Sequence, residues 1–175
     1  MYEEEIKIPK DRIAVLIGEK GSTKRLLEGR TSTKIQVDSK EGDIKISGED
    51  NLNIFTAKNI IKAIGRGFNP SIAIRLLSED TYFELIDLTD FAGKSKKKMD
   101  RLKSRVIGTR GKCRSTIESM TNTNIVIYGK TVSIIGTGPE VGLAKRALEM
   151  ILQGSQHGNA YRYIQEQNQR QESLI

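Results

Sequence analysis

The chain has 175 residues, of which 37% are apolar, and its formal net charge is +7. This length suits one large domain or two small ones, and no stretch approaches the roughly 20 consecutive apolar residues that a membrane span needs. The excess of positive charge favours a polyanionic partner.

The first half of the chain predicts a β-α-α-β-β-α unit. Ile6 and Ile8 alternate with charged residues, as in a short strand. Apolar residues at helical spacing follow on both sides of Gly18, residues 34–38 alternate as a second strand, and a polar turn leads into a third. Residues 51–65 then place their apolar side chains on one helical face.

The second half of the chain repeats this order of elements. Residues 16–37 and 106–127 match at a constant offset of 90, with coinciding glycines, threonines and apolar positions. Two copies are too few for a solenoid, so the repeat predicts two globular domains. We assign residues 1–67 to the first domain and residues 80–154 to the second, which carries a basic insert at residues 92–105.

Two further segments complete the predicted organisation. Residues 68–79 have the spacing of a short amphipathic linker helix, and residues 155–175 form a polar C-terminal helix or tail. The predicted fold class is therefore α+β, with two domains that each pack a three-stranded sheet on three helices.

The positive charge is concentrated in one segment. Between Lys94 and Arg114 lie ten basic residues and a single acidic residue, Asp100, whereas the rest of the chain is close to neutral. A solvated helix face usually mixes both signs of charge, so this segment favours binding of a polyanion.

Two loops of the form Gly-x-x-Gly, at residues 18–21 and 108–111, each follow an apolar helix and open a polar one. The first glycine can end a helix with positive φ, and the second lets a ligand backbone come close. The next helix presents free N–H groups and the positive end of its dipole. Because a sugar-phosphate backbone fits this geometry and the motif occurs in both copies, nucleic-acid binding is the leading interpretation.

The segments at residues 15–21 and 104–111 resemble the signature of type I KH domains. The resemblance extends over most of the chain, about residues 4–154. It implies a protein that clamps about four nucleotides of single-stranded RNA over each glycine loop.

Three other segments are similar to one tandem family, the archaeal relatives of the ribosome-assembly factor called partner of Nob-One. They are the linker at residues 65–77, Ile86-Asp87-Leu88 before the insert, and the tail at residues 157–164. This resemblance implies binding of small-subunit ribosomal RNA near its 3′ end, together with the endonuclease that trims that end. Eukaryotic members have lost the first glycine loop, so its presence here indicates the archaeal form.

The candidate RNA-binding residues fall into three groups. The first group lines the RNA backbone at the two loops and the helix after the second loop: Gly18, Glu19, Lys20, Gly21, Gly108, Thr109, Arg110, Gly111, Lys112 and Arg114. Within it, phosphate contacts are assigned to the cations Lys20, Arg110, Lys112 and Arg114. The KH resemblance places the bases in an apolar groove whose candidates are Ile17, Ile35, Val37, Ile107, Ile125 and Ile127. Strand alternation sends some of these six side chains to the core instead.

The third group lies in the basic insert and is predicted to form an electrostatic arm for RNA backbone outside the groove. It includes Lys96, Lys97, Lys98 and Arg105. RNA affinity should then fall steeply with salt. Because Glu19 weakens the first loop as an anion site, we expect the second domain to bind RNA more strongly.

Catalytic interpretations have little support in the sequence. His157 is the only histidine, so a pair of histidines is impossible. Cys113 lies between two basic residues that could lower its pKa, but without a histidine partner it is interpreted as a bystander thiol. Asp87 and Asp90 have no second acidic cluster, and the second loop lacks the spacer of a P-loop.

We therefore predict an RNA-binding protein that is not an enzyme and needs neither cofactor nor metal. The acidic N-terminus is unlike a signal peptide, and a single cysteine fits a reducing cytoplasm, so we expect a cytoplasmic protein away from membranes. We also expect it to be a monomer. The expected partners are single-stranded small-subunit rRNA and an rRNA-processing endonuclease. A general KH-type protein of translation or mRNA regulation, and a nuclease, are the alternatives.

Overall fold

A computed structural model describes all 175 residues, which divide into two compact units, Met1–Thr81 and Tyr82–Ile175. The first unit contains β1 (Tyr2–Lys7), α1 (Lys10–Ile17), α2 (Ser22–Thr31), β2 (Lys34–Val37), β3 (Asp43–Gly48), α3 (Asn51–Gly65) and α4 (Pro70–Ala73). The second contains β4 (Thr81–Asp87), α5 (Thr89–Ala92), α6 (Lys96–Ile107), α7 (Lys112–Thr121), β5 (Asn124–Tyr128), β6 (Thr131–Thr137), α8 (Gly138–Leu152) and α9 (His157–Ser173). Short 3-10 turns lie at Glu19–Gly21, Ile74–Leu77 and Thr109–Gly111.

Each unit holds a three-stranded sheet whose last strand in sequence lies in the middle. The strand orders are β1-β3-β2 and β4-β6-β5, so β2 and β5 are edge strands. Ile35 lies opposite Ile46, and Ile125 lies opposite Ile134, all four being buried. The predicted α+β class with two β-α-α-β-β-α units is confirmed.

Local capping and helical spacing explain where the core helices begin and which face they bury. The Asp50 side chain accepts the N–H of Leu52 at 2.8 Å, which starts α3. A capping box of Thr137 and Glu140 starts α8. Both helices bury apolar side chains at helical spacing, including Ile54, Ile60, Ile61, Ile64, Val141, Leu148 and Ile151.

Each unit ends in an additional helical segment that packs on its own helices. In the first unit, α4 and the following 3-10 turn contact α3, with Phe68 and Ala73 fully buried. In the second, α9 packs on α7 and α8, with Ala160 and Ile164 fully buried. α9 falls where the sequence predicts a polar C-terminal helix or tail, and it also contributes to the core of the second unit. Two apolar side chains four residues apart are enough to anchor one helical face.

None of the helices combines the length and the apolarity needed to cross a lipid bilayer.

Candidate nucleic-acid interface

The two glycine loops share one backbone conformation. Gly108 has φ 76° and ψ 174°, Arg110 has φ 54° and ψ 31°, and Gly111 has φ 74° and ψ 14°. The first loop repeats these angles, with Lys20 at φ 52° and ψ 29°. A left-handed backbone costs a non-glycine residue about 1–2 kcal/mol. Lys20 and Arg110 are therefore held in a strained geometry at the loop tips, where both are exposed.

The two glycines of the second loop have different roles. A Cβ on Gly108 would lie 2.7 Å from the Cβ and the backbone N of Cys113, whereas a Cβ on Gly111 would meet nothing within 4 Å. Gly108 therefore allows the loop to pack tightly on the start of α7. Gly111 leaves open space where a ligand backbone can come close.

The basic side chains around the second loop differ in whether they form ion pairs and hydrogen bonds within the protein. Arg110 and Lys112 are exposed and form no ion pair. Nη1 of Arg114 lies 3.3 Å from the carboxylate of Glu118 and donates to the carbonyl oxygen of Ile125 at 3.4 Å. Arg114, a predicted phosphate ligand, therefore joins α7 to β5 and keeps 41% of its side chain exposed.

The first loop differs in charge and in cover. Glu19 and Lys20 are exposed neighbours of opposite charge. Nη1 of Arg25 donates to the carbonyl oxygen of Lys20 at 2.7 Å and would lie 3.1 Å from a Cβ on Gly21. Arg25 thus covers part of the side by which a ligand would approach Gly21. Sequence analysis missed this residue because its partner is a backbone carbonyl, which leaves no mark in the sequence.

Four of the six predicted groove residues lie partly at the surface, and two do not. Ile17, Val37, Ile107 and Ile127 are half-buried, so they stay candidates for the apolar groove. The structure does not place the other two in a groove, since both are buried in the core at 1% exposure: Ile35 and Ile125. They share a strand face with Val37 and Ile127 but lie under α2 and α7, which contact β2 and β5.

The edge strand β5 offers backbone groups beside these half-buried residues. The register of β5 with β6 points the N–H and C=O of Ile125 and Ile127 away from β6. Glu118 accepts the outward N–H of Ile125 at 2.8 Å, and Glu28 accepts that of Ile35 at the same distance in the first unit. No side chain of the protein bonds to the outward groups of Ile127.

Replacing Glu118 by alanine is expected to lower the free energy of unfolding by about 1–3 kcal/mol, because the N–H of Ile125 loses its acceptor. Glu118→Gln keeps an acceptor oxygen and loses only a partly exposed ion pair, so it should cost less than about 1 kcal/mol. Urea denaturation followed by circular dichroism measures both losses. Equal losses would show that the ion pair, and not the backbone bond, is the main contribution.

The basic insert is a helix of the fold as well as a charged surface. α6 has 12 residues where α1 has 8, and it buries Met99, Leu102 and Val106. Its additional first turn carries Lys96, Lys97 and Lys98, all exposed. The predicted free arm is therefore a fixed helical surface.

Arg105, predicted to contact RNA, is instead engaged within the second unit. Its guanidinium donates to the carbonyl oxygens of Ile151 and Ser155, the latter at 2.6 Å. Nε2 of His157 lies 2.8 Å from the carbonyl oxygen of Arg105. Arg105 and His157 thus stabilise the turn between α8 and α9, and we do not include Arg105 in the candidate RNA interface.

The residues weighed for catalysis have structural surroundings. Cys113 is 1% exposed, and burial raises the pKa of its thiol, opposite to the expected influence of its basic neighbours. Burial, with a hydrogen bond to Cys113, raises the pKa of Tyr161 to about 12. The carboxylate of Asp87 accepts both the N–H and the hydroxyl of Thr89. No group of three or more His, Cys, Asp or Glu side chains is placed to hold a metal ion.

A three-stranded sheet on three helices, with a Gly-x-x-Gly turn between the first two, defines each unit as a KH domain, a module that clamps single-stranded RNA. Comparison with known proteins agrees. The signature described as eukaryotic type KH-domain (KH-domain type I) matches residues 82–169, and that of the KH domain matches residues 3–63. The chain belongs to the type I KH-domain family, an RNA-binding family and not a family of enzymes.

Three relatives place the chain more closely. A KH domain-containing protein of Methanocaldococcus jannaschii is 43% identical over 94% of this chain and 74% of its own length. The crystal structure of the a/eIF2alpha-aDim2p-rRNA complex from Pyrococcus horikoshii contains a chain that is 46% identical, with a TM-score of 0.89, over 97% of this chain and 95% of that one. The pre-rRNA-processing protein pno1 of Aspergillus fumigatus is 30% identical over 59% of this chain and 42% of its own length. The predicted relationship to the partner-of-Nob-One (PNO1) family is confirmed.

Proposed function

We propose that this protein holds single-stranded small-subunit rRNA near its 3′ end during ribosome assembly and presents it to an endonuclease. The second unit is the main binding site. Its loop residues Gly108 to Gly111 take the sugar-phosphate backbone, with Arg110 and Lys112 beside it. Ile107 and Ile127 receive the bases.

The observation that carries this proposal is the open second loop. Gly111 has free space on the side where a ligand backbone would approach, and Arg110 and Lys112 are exposed cations with no ion pair. In the first unit, Arg25 lies over Gly21, and Glu19 lowers the positive charge. A weaker contribution of the first unit follows from these two differences.

The relatives support the choice of RNA. The P. horikoshii protein forms a complex with rRNA and a/eIF2alpha, and the A. fumigatus protein is named for pre-rRNA processing. The presence of a/eIF2alpha in that complex also favours a second candidate, an RNA-binding role in translation.

Crosslinking of the protein to RNA in cells, followed by sequencing, tests the proposal. We expect one dominant site near the 3′ end of the small-subunit rRNA, lost in a variant with Thr109 and Arg110 replaced by aspartate. Tags dispersed over mRNAs would favour the role in translation instead. Incubation of the purified chain with labelled RNA and Mg²⁺ should leave the RNA intact, since cleavage is assigned to the partner.

A further inference from the structure

A lysine-rich pocket lies beside the start of α6, outside the glycine loop. Its volume is about 420 Å³, and its lining includes Lys94, Lys96, Lys103, Lys130 and one acid, Asp100. None of these five side chains forms an ion pair, and all but the half-buried Lys103 are exposed. With four lysines against one carboxylate, the pocket carries a net positive charge.

The position of the pocket continues the candidate groove. Lys96, Lys103 and Ile107 are separated by seven and four residues, so they lie on one face of α6. On the strand side, the β5–β6 turn contributes Gly129 and Lys130, directly after the half-buried end of β5. The glycine loop lies at the C-terminal end of α6 and the pocket at its N-terminal end, roughly 18 Å away at 1.5 Å per residue.

The helix itself indicates that an anion belongs there. Lys96, Lys97 and Lys98 lie in the first turn of α6, where cations oppose the helix dipole. The first-turn N–H groups of α6 add to the same positive potential, apart from that of Lys98, which donates to the Ser95 side chain. A bound phosphate would offset this unfavourable arrangement.

The first unit has no equivalent. Its first helix starts one turn later relative to the glycine loop, at Lys10. The turn between its β2 and β3 carries Asp38, Lys40 and Glu41, which is a mixed and mostly acidic set. The lysine pocket is therefore a property of the second unit alone.

We propose that this pocket binds the phosphodiester backbone of RNA that continues past the nucleotides over the groove. The inference rests on the proposed function and extends its footprint. Continuity with the groove along one face of α6 favours the same RNA strand over a separate acidic protein segment.

The test measures the RNA affinity of the full chain as a function of RNA length. It uses oligoadenylates of about four and about ten nucleotides, because a KH loop clamps about four nucleotides and only the longer RNA can also reach the pocket. The variant K96E/K103E removes two pocket lysines. The control variant R146E/R162E makes the same change in charge at two exposed arginines of α8 and α9, which lie outside the pocket and outside the candidate interface. Glutamate at residue 96 suits the dipole in the first turn of α6, and the other changed side chains are at least partly exposed, so both variants should fold.

We expect the wild type to bind the longer RNA about tenfold more tightly than the short RNA. K96E/K103E should lose this gain, while its affinity for the short RNA should differ from that of the wild type by less than about twofold. The salt slope for the longer RNA should fall by about 1.4 for two lost phosphate contacts. R146E/R162E should keep most of the gain. The inference would be overturned by equal losses in both variants or by an unchanged gain in K96E/K103E. It would also be overturned if the loss of the pocket lysines abolished binding of polyglutamate but left binding of the longer RNA intact. If neither the wild type nor either variant bound RNA of either length, the proposed function itself would be wrong.

Discussion

Replacing Thr109 and Arg110 by aspartate is expected to lower the affinity for single-stranded RNA by about 30- to 100-fold at low ionic strength, or roughly 2–3 kcal/mol. The change removes one cation at the loop tip and adds two anions where a phosphate would lie. Both residues are exposed, and aspartate tolerates the left-handed backbone of Arg110, so the fold should persist. Fluorescence anisotropy with labelled RNA measures the affinity, and circular dichroism checks the fold.

The matched control is the same change in the first loop, Glu19 and Lys20 to aspartate. It changes the charge less, because Glu19 is already acidic, and Arg25 still supplies a cation at that loop. We expect a loss of less than about fivefold there, well under 1.4 kcal/mol. Equal losses in the two loops would show that the second unit is not the main site.

The architecture could be predicted from the sequence because its signals are periodic and occur twice. The apolar spacing of residues 51–65 coincides with α3, and the alternation near 124–128 coincides with β5. Each helix or strand is specified by many side chains that agree with one another. The α-α turn at each glycine loop has a similarly direct cause, since a φ of 74–77° is open to glycine and costly for most other residues.

The groove was harder to predict, because alternation along a strand determines which face of the sheet a side chain lies on but not how deeply it is buried. Ile125 and Ile127 point to the same side of β5, yet Ile125 is buried in the core and Ile127 is only half-buried against it. Depth depends on where the neighbouring helix ends, which is a property of the tertiary structure. The same limit applies in the first unit.

Two arginines assigned to RNA form hydrogen bonds within the second unit that the sequence does not reveal. Arg105 and Arg114 belong to a strongly basic run, which makes phosphate binding the natural interpretation. Arg105 instead donates to carbonyls 46 and 50 residues away. Carbonyl oxygens at the end of a helix are acceptors that every sequence contains, so no residue type marks them in advance.

Gly108→Ala is expected to destabilise the second unit by about 3–5 kcal/mol, enough to unfold a marginal domain. The backbone of Gly108 occupies a region that is essentially restricted to glycine. An added Cβ would also lie 2.7 Å from backbone and side-chain atoms of Cys113, which cannot move without shifting α7. Thermal unfolding followed by circular dichroism measures the loss.

Gly111→Ala is the matched variant, and it separates folding from binding. Its left-handed backbone costs an alanine about 1–2 kcal/mol, less than the loss expected for Gly108→Ala, and the new methyl group meets no protein atom within 4 Å. The methyl group would fill the space where the RNA backbone comes close, so we expect a nearly native fold with affinity reduced about tenfold, or 1.4 kcal/mol. If Gly111→Ala bound RNA as tightly as the wild type, the RNA backbone would have to lie elsewhere. An RNA strand in van der Waals contact with Gly111 leaves no room for the added methyl group.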